Sequence, residues 1–421
     1  MTKSTISFAI TLLGLLMLAE QAKAQGDWTQ RALKFRSKYY EVQSDFNQEE
    51  SQDLASHMDL TADAYIRLLG GLRPQRNVSL GLLLFQEQAD YQDVLTRHFS
   101  VPTQNSQGMM MARGNQMYLA GFQGRYGNQR MREVLQHEGF HQFSTILFPN
   151  IPSWADEGTA EIFARGVPFD GKLVVGQVDA EDLRRIHAIL DADDFRHFAD
   201  MFTIDADGWR QSLQTGSGQQ GSVNYLQAWT MSHFFLFAEG KKYQKPFIKF
   251  LTLLNRNAEY PVAWVGAFGE PNFDIMEARW QEYVKNLWAE DYRETIRRMD
   301  FLSAGILFLQ GQDVVPLTIE QLKSELRSHR FTHTSELFGK KVTFDVNDDE
   351  LFTIPIQSEN DISNPPVFEL VDARGKTLDA TRPYKVRTPP GIATSGLQAE
   401  NFLLKWNVKK GNTFEPSLGP R

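Results

Sequence analysis

The stretch LQHEGFHQFSTILFPNIPSWADEGTAE, residues 135–161, leaves the backbone little choice. Residues 129–147 carry no proline, and their apolar positions recur at helical spacing; Asn128 can cap the start, and Pro149 follows the end. Ser153 then precedes Asp156 by three residues, the pattern of a capping box, which predicts a second helix over 154–165. Two helices joined by a proline-containing turn therefore present two polar faces. One carries His137 and His141, four residues apart, with Glu138 beside them. The other carries Glu157 and Glu161, also four apart. Side chains at that spacing share a face.

Two neutral imidazoles one helical turn apart can ligate a single zinc ion, and the carboxylate that follows the first can act as a base on a metal-activated water. Catalytic zinc commonly takes three protein ligands. Glu157 is the expected third ligand, and Glu161 is expected to orient His137 by accepting a hydrogen bond from its other ring nitrogen. Two bland alternatives stay open: a pair of exposed histidines beside a glutamate, and a solvated helix face carrying the two later glutamates. Two histidines and a carboxylate also suit iron(II) or manganese, so the expected cofactor, one Zn²⁺ per chain, follows from chemistry rather than necessity.

HEGFH followed by WADEGTAE resembles the gluzincin metallopeptidases, the clan of thermolysin and the zinc aminopeptidases. It is closer still to an exported bacterial family classed as peptidase-MA-like. The resemblance covers roughly residues 36–290. It implies a zincin-like catalytic domain with His137, His141 and Glu157 as ligands, Glu138 as general base and Glu161 in support. It also implies an oxyanion-stabilising tyrosine on a later helix, which Tyr225 in NYLQAW matches; a core tyrosine beside Trp229 is the competing reading. His233, two turns further on, is a candidate second oxyanion or substrate contact, against the reading of a structural histidine. The departures are Asp156 in place of an asparagine before the ligand glutamate, and GNQMYLAG at 114–121. That segment carries no glutamate where the aminopeptidases grip a substrate amino terminus.

The remaining chain sets the frame. Residues 1–24 combine Lys3, the apolar run ISFAITLLGLLMLA and the small-x-small site AKA, the pattern of a secretory signal peptide cleaved after Ala24. The expected location is therefore secreted or periplasmic, with no stable membrane span after cleavage. The chain has no cysteine, which removes disulfides, thiol nucleophiles and cysteine-based zinc sites. A net charge of −8 argues against a nucleic-acid partner. The expected fold class is α+β. Residues 25–127 are read as an N-terminal α/β part of the catalytic domain, 128–300 as its helical zinc-site part, 301–334 as a connecting segment and 335–421 as a small β-rich domain. Helices are expected at 179–192, 223–239, 243–256 and 273–298, with a Gly/Ser/Gln loop at 214–222. The strand QMYLAGF is a candidate edge for pairing with an extended peptide.

The function expected is an exported zinc-dependent hydrolase acting on a peptide or protein. The competing readings are an exported binding or scaffold module with a structural or degenerate zinc site, whose β-domain binds a polymer or protein, and a metallohydrolase of a non-peptide amide or ester.

Overall fold

Strand β3 (Ser79–Phe85) is buried at every position after its first, the pattern of a strand covered on both faces. It is the middle of a five-stranded sheet in the order β1-β2-β3-β5-β4. The computed structural model describes residues 27–73, 78–103, 106–214, 219–358, 360–382, 384, 388–411 and 413–421. The expected signal peptide, 1–24, lies outside the described residues. Two units divide the chain: one takes the described residues of Met1–Ala62 and Pro74–Gln142, the other Asp63–Arg73 and Phe143–Arg421.

The first unit opens with α1 (Trp28–Arg31), β1 (Leu33–Arg36) and β2 (Tyr40–Ser44), and α2 (Gln48–Leu68), whose residues from Asp63 belong to the second unit, leads to β3. Then come α3 (Gln88–Phe99), β4 (Gly108–Arg113), β5 (Gln116–Phe122) and α4 (Gly127–Leu147), whose residues from Phe143 belong to the second unit. Strands β2, β3 and β5 run parallel, whereas β1 and β4 are antiparallel to their neighbours. Gly114 and Asn115 form the β4–β5 turn, Gly114 with φ +62°. On one face of the sheet Trp28, Leu83, Phe85, Tyr91, Leu95 and Phe122 form a core, with Trp28 stacked on Phe85 at 4.3 Å. Strand β5 is hydrogen-bonded on both sides, to β3 and β4. The peptide-pairing edge expected at QMYLAGF is therefore corrected: both rows of its ladder groups are consumed within the sheet, and the outer strand is β4.

The second unit begins its helical run with α5 (Ser153–Ala164), followed by the hairpin β6 (Val167–Phe169) and β7 (Lys172–Val174). Helices α6 (Ala180–Asp191), α7 (Phe198–Met201), α8 (Ala206–Gln214) and α9 (Gln219–Lys241) come next, then α10 (Gln244–Asn255), α11 (Tyr260–Phe268) and α12 (Phe273–Lys285). The loop expected over 214–222 is narrower: Gln214 closes α8 and Gln219–Ser222 open α9, while 215–218 lie outside the described residues. The single helix expected over 273–298 is two. After α12 comes the two-residue strand β8 (Ala289–Glu290), and α13 (Tyr292–Gln310) restarts where Asp291 accepts from the Glu294 amide at 2.9 Å. That N-cap supplies a fresh helix start.

Helix α14 (Ile319–Ser328) precedes β9 (Thr332–Ser335), β10 (Val342–Asp345), β11 (Ile356–Gln357) and the four-stranded antiparallel sheet β12 (Val367–Val371), β13 (Gly391–Ser395), β14 (Phe402–Val408) and β15 (Phe414–Pro420). Apolar residues of α13 and α14, among them Phe301, Leu302, Ile306 and Leu322, share one core with Phe344, Phe368, Ile392, Phe402 and Leu404 from these strands. The molecule is thus mixed α and β, with a central mixed sheet and a small C-terminal β-sheet. Among the described residues no helix is long and apolar enough to cross a membrane.

Candidate metal centre

Helix α4 sits where the sheet lacks side chains. Gly108 and Gly121 face each other across β4 and β5. A Cβ at Gly108 would lie 2.3 Å from Val134 Cγ1, and one at Gly121 would lie 2.8 Å from Leu135 Cδ2. Both are closer than side-chain atoms approach, so the glycine pair is the seat of the helix. Two further contacts set its rotation. Buried Gln142 donates from Nε2 to the carbonyls of Met117, at 2.7 Å, and Gly81, at 3.3 Å. Arg132 pairs with Asp53 on α2. With Val134, Leu135 and Gln142 committed to the sheet, His137, Glu138 and His141 fall on a half-buried face. The Glu138 side chain runs beside the start of β4, its Cγ 3.4 Å from the position a Gly108 Cβ would take. Nearby Tyr91 is buried, and its hydroxyl meets Ser106 Oγ at 3.0 Å. Burial pushes that phenol up to about 12, and the Glu138 charge adds to the shift.

The two histidines approach each other through Nε2, 3.1 Å apart. Two nitrogens each about 2.0–2.1 Å from one tetrahedral ion lie roughly 3.3–3.4 Å from each other, so this spacing suits a shared metal. With Glu157 they form a half-buried group whose ligand atoms all lie within 4.8 Å of one another. The donor set, two imidazoles and a carboxylate, is one that zinc accepts, so the residues fit the ion.

Helix α5 is set by its first turn and by one glycine. Trp154 packs into an aromatic core, with ring centroids 5.4 Å from Phe202, 5.7 Å from Phe235 and 5.8 Å from Phe247. The capping box expected from Ser153 and Asp156 takes another form. Pro152 occupies the N-cap without a side-chain acceptor, and Asp156 accepts the hydroxyl of Ser144 from α4. Ser153 has already entered the helix, and Asp156 makes a tertiary contact with Ser144. Gly158, directly after Glu157, lies against α9: a Cβ there would be 2.1 Å from the Ala228 carbonyl oxygen. Thr159 and Ser232 hydroxyls meet one turn along at 3.5 Å.

This contact brings the polar row of α5 beside a row of α9. Tyr225 packs edge-on against Trp209 of α8, centroids 5.3 Å apart. Its pKa is raised, first by burial and next by the negative charge of Glu157, so the phenol holds its proton and is a donor. Glu161 takes the guanidinium of Arg165, which also binds Asp182 at 2.7 Å and lies over the Trp229 ring at 4.8 Å. His233 is fully buried. Its Nδ1 is 2.7 Å from the Tyr283 hydroxyl, and its Nε2 is 2.9 Å from the Gly176 carbonyl. Burial pulls its pKa down to about 4. A neutral ring with both nitrogens so engaged has no donor left for an oxyanion, which corrects the catalytic role entertained for His233.

Arg165, Asp182, Trp209 and the glycines at 108, 121 and 158 shape the site beyond the residues that the sequence motifs mark. Arg165 was within reach, since it follows Glu161 by four residues and Glu157 by eight on one helical face. Gly108 and Gly121 have no such signal, because their partners on α4 are distant in the chain. No protein-family model matches the chain, and no curated protein matches it.

Proposed function

We propose that the chain is an exported zinc-dependent hydrolase of the gluzincin type, with a zincin-like catalytic domain, acting on peptides. The observation that carries this reading is the convergence of His137, His141 and Glu157, with the two Nε2 atoms 3.1 Å apart. A zinc ion held there would lower the pKa of a water and polarise a carbonyl. The other steps belong to the chain's own side chains. Glu138, one residue from His137 on the same half-buried face, takes the proton of the attacking water and returns it to the leaving amine. Tyr225, protonated and close to Glu157, donates to the oxyanion that develops on the scissile carbonyl. Glu161 orients His137. A carboxylate beside the ligands favours chemistry over a purely structural ion, which has no use for a base.

Elemental analysis of the chain from Gln25, paired with Glu138→Ala, tests this. One zinc per chain is expected in both proteins, with peptide hydrolysis only in the wild type. A wild-type chain that stays metal-free after zinc loading at neutral pH would sink the reading. Equal hydrolysis by the variant would remove Glu138 from the role of base.

A further inference from the structure

We propose that Arg165 is a positioning residue of the metal centre, acting through Glu161; this rests on the zinc reading above. Glu157, Glu161 and Arg165 recur every four residues and so share one face of α5. Two carboxylates one turn apart repel each other, and the repulsion grows as water is withdrawn from the half-buried face. A cation at the next turn offsets it. Arg165 supplies that cation at the C-terminal end of α5, where positive charge is also favoured.

The guanidinium is held from three directions. Nη1 donates to Glu161 Oε2, and to the Glu161 carbonyl at 3.1 Å. Nε and Nη2 donate to Asp182 Oδ2 at 3.3 and 2.7 Å. Its face rests on Trp229, one turn beyond Tyr225 on α9. Asp182 is itself anchored, since its amide donates to the α6 N-cap Asp179 at 3.2 Å. A planar fork so fixed sets the direction of one Glu161 oxygen, and through it the plane of the whole carboxylate. A carboxylate that orients a metal-binding histidine works only if its own direction is set.

The contact with the Glu161 carbonyl offers a purely structural alternative, a cap on the last turn of α5, and the test must separate the two. Zinc affinity is measured by chelator competition for wild type, Arg165→Met, Glu161→Gln and the double variant. Each single change is expected to weaken zinc about 10-fold, and the double variant is expected to be no weaker than either single one. Wild-type affinity in Arg165→Met, or a loss that adds in full to that of Glu161→Gln, overturns the proposal. If Arg165→Met does not fold, Asp182→Asn carries the same cycle: a smaller loss that vanishes in the Glu161→Gln background supports the role, and an unchanged affinity overturns it. A wild type that binds no zinc fails earlier and removes the metal centre along with Arg165's part in it.

Discussion

Tyr225 keeps its proton at neutral pH because burial, reinforced by the charge of Glu157, disfavours the phenolate. A protonated phenol is an effective donor to a negative oxygen, and removing only its hydroxyl isolates that role. Tyr225→Phe is expected to lower kcat on a cleaved peptide about 100-fold, while chelator competition returns wild-type zinc affinity. Unchanged turnover would make Tyr225 a packing residue against Trp209. His233 shows the opposite case on the same helix. Two turns along, its ring is neutral and both nitrogens are bonded inside the core. Sequence spacing alone treats the two positions alike; what separates them is the neighbours each one meets.

Between elements, the contact of α5 with α9 depends on a single missing methyl group. Gly158 meets the Ala228 carbonyl where no Cβ fits, and the obstacle is backbone, which cannot swing aside. Gly158→Ala must therefore push the helices apart or distort one of them. The expected cost is about 1–3 kcal/mol, read as a lower urea midpoint. Because Glu157 precedes Gly158, zinc affinity should fall in the same variant. A Gly158→Ala chain with wild-type midpoint and wild-type affinity would mean that the helices accommodate the methyl group without moving Glu157. The seat of α4 works by the same device, with Gly108 and Gly121 clearing the sheet for Val134 and Leu135.

At the scale of the whole molecule, a buried carboxylate joins the helical part of the second unit to its C-terminal sheet. Glu290 Oε1 accepts from Trp288 Nε1 at 3.0 Å and from the Gln398 amide at 2.9 Å. The Gln398 side chain accepts from the Trp288 amide at 3.1 Å through Oε1 and donates from Nε2 to the Trp288 carbonyl at 2.7 Å. Burial pushes the Glu290 carboxyl up to about 7 from 4.5, and these donors only partly offset it. The folded state thus holds a proton that the unfolded chain releases near 4.5. The associated stability is fully present below pH 4.5 and is lost as pH rises toward 7. The size is on the order of 3 kcal/mol. Glu290→Gln keeps the shape and cannot ionise, so its urea midpoint should overtake that of wild type as pH goes from 5 to 8. Parallel midpoints over that range would mean that Glu290 ionises freely in the fold.

The sequence by itself determined the elements whose signals are local. The helices carrying His137 and Glu157 follow from periodicity and proline placement within a few positions of each other. The grouping of His137 with His141 was legible too, because one helix sets both side chains. The tertiary structure decided everything whose partner is far along the chain. It paired β5 on both sides and so removed it as an edge, turned Asp156 from a cap into a partner of Ser144, and split the helix expected over 273–298 where Ala289 and Glu290 pair as a strand with Gln357 and Ile356. It also placed Arg165 between Glu161, Asp182 and Trp229. The physical reason is common to these cases. Local hydrogen-bonding options are nearly equal in energy, and burial against a distant element selects among them.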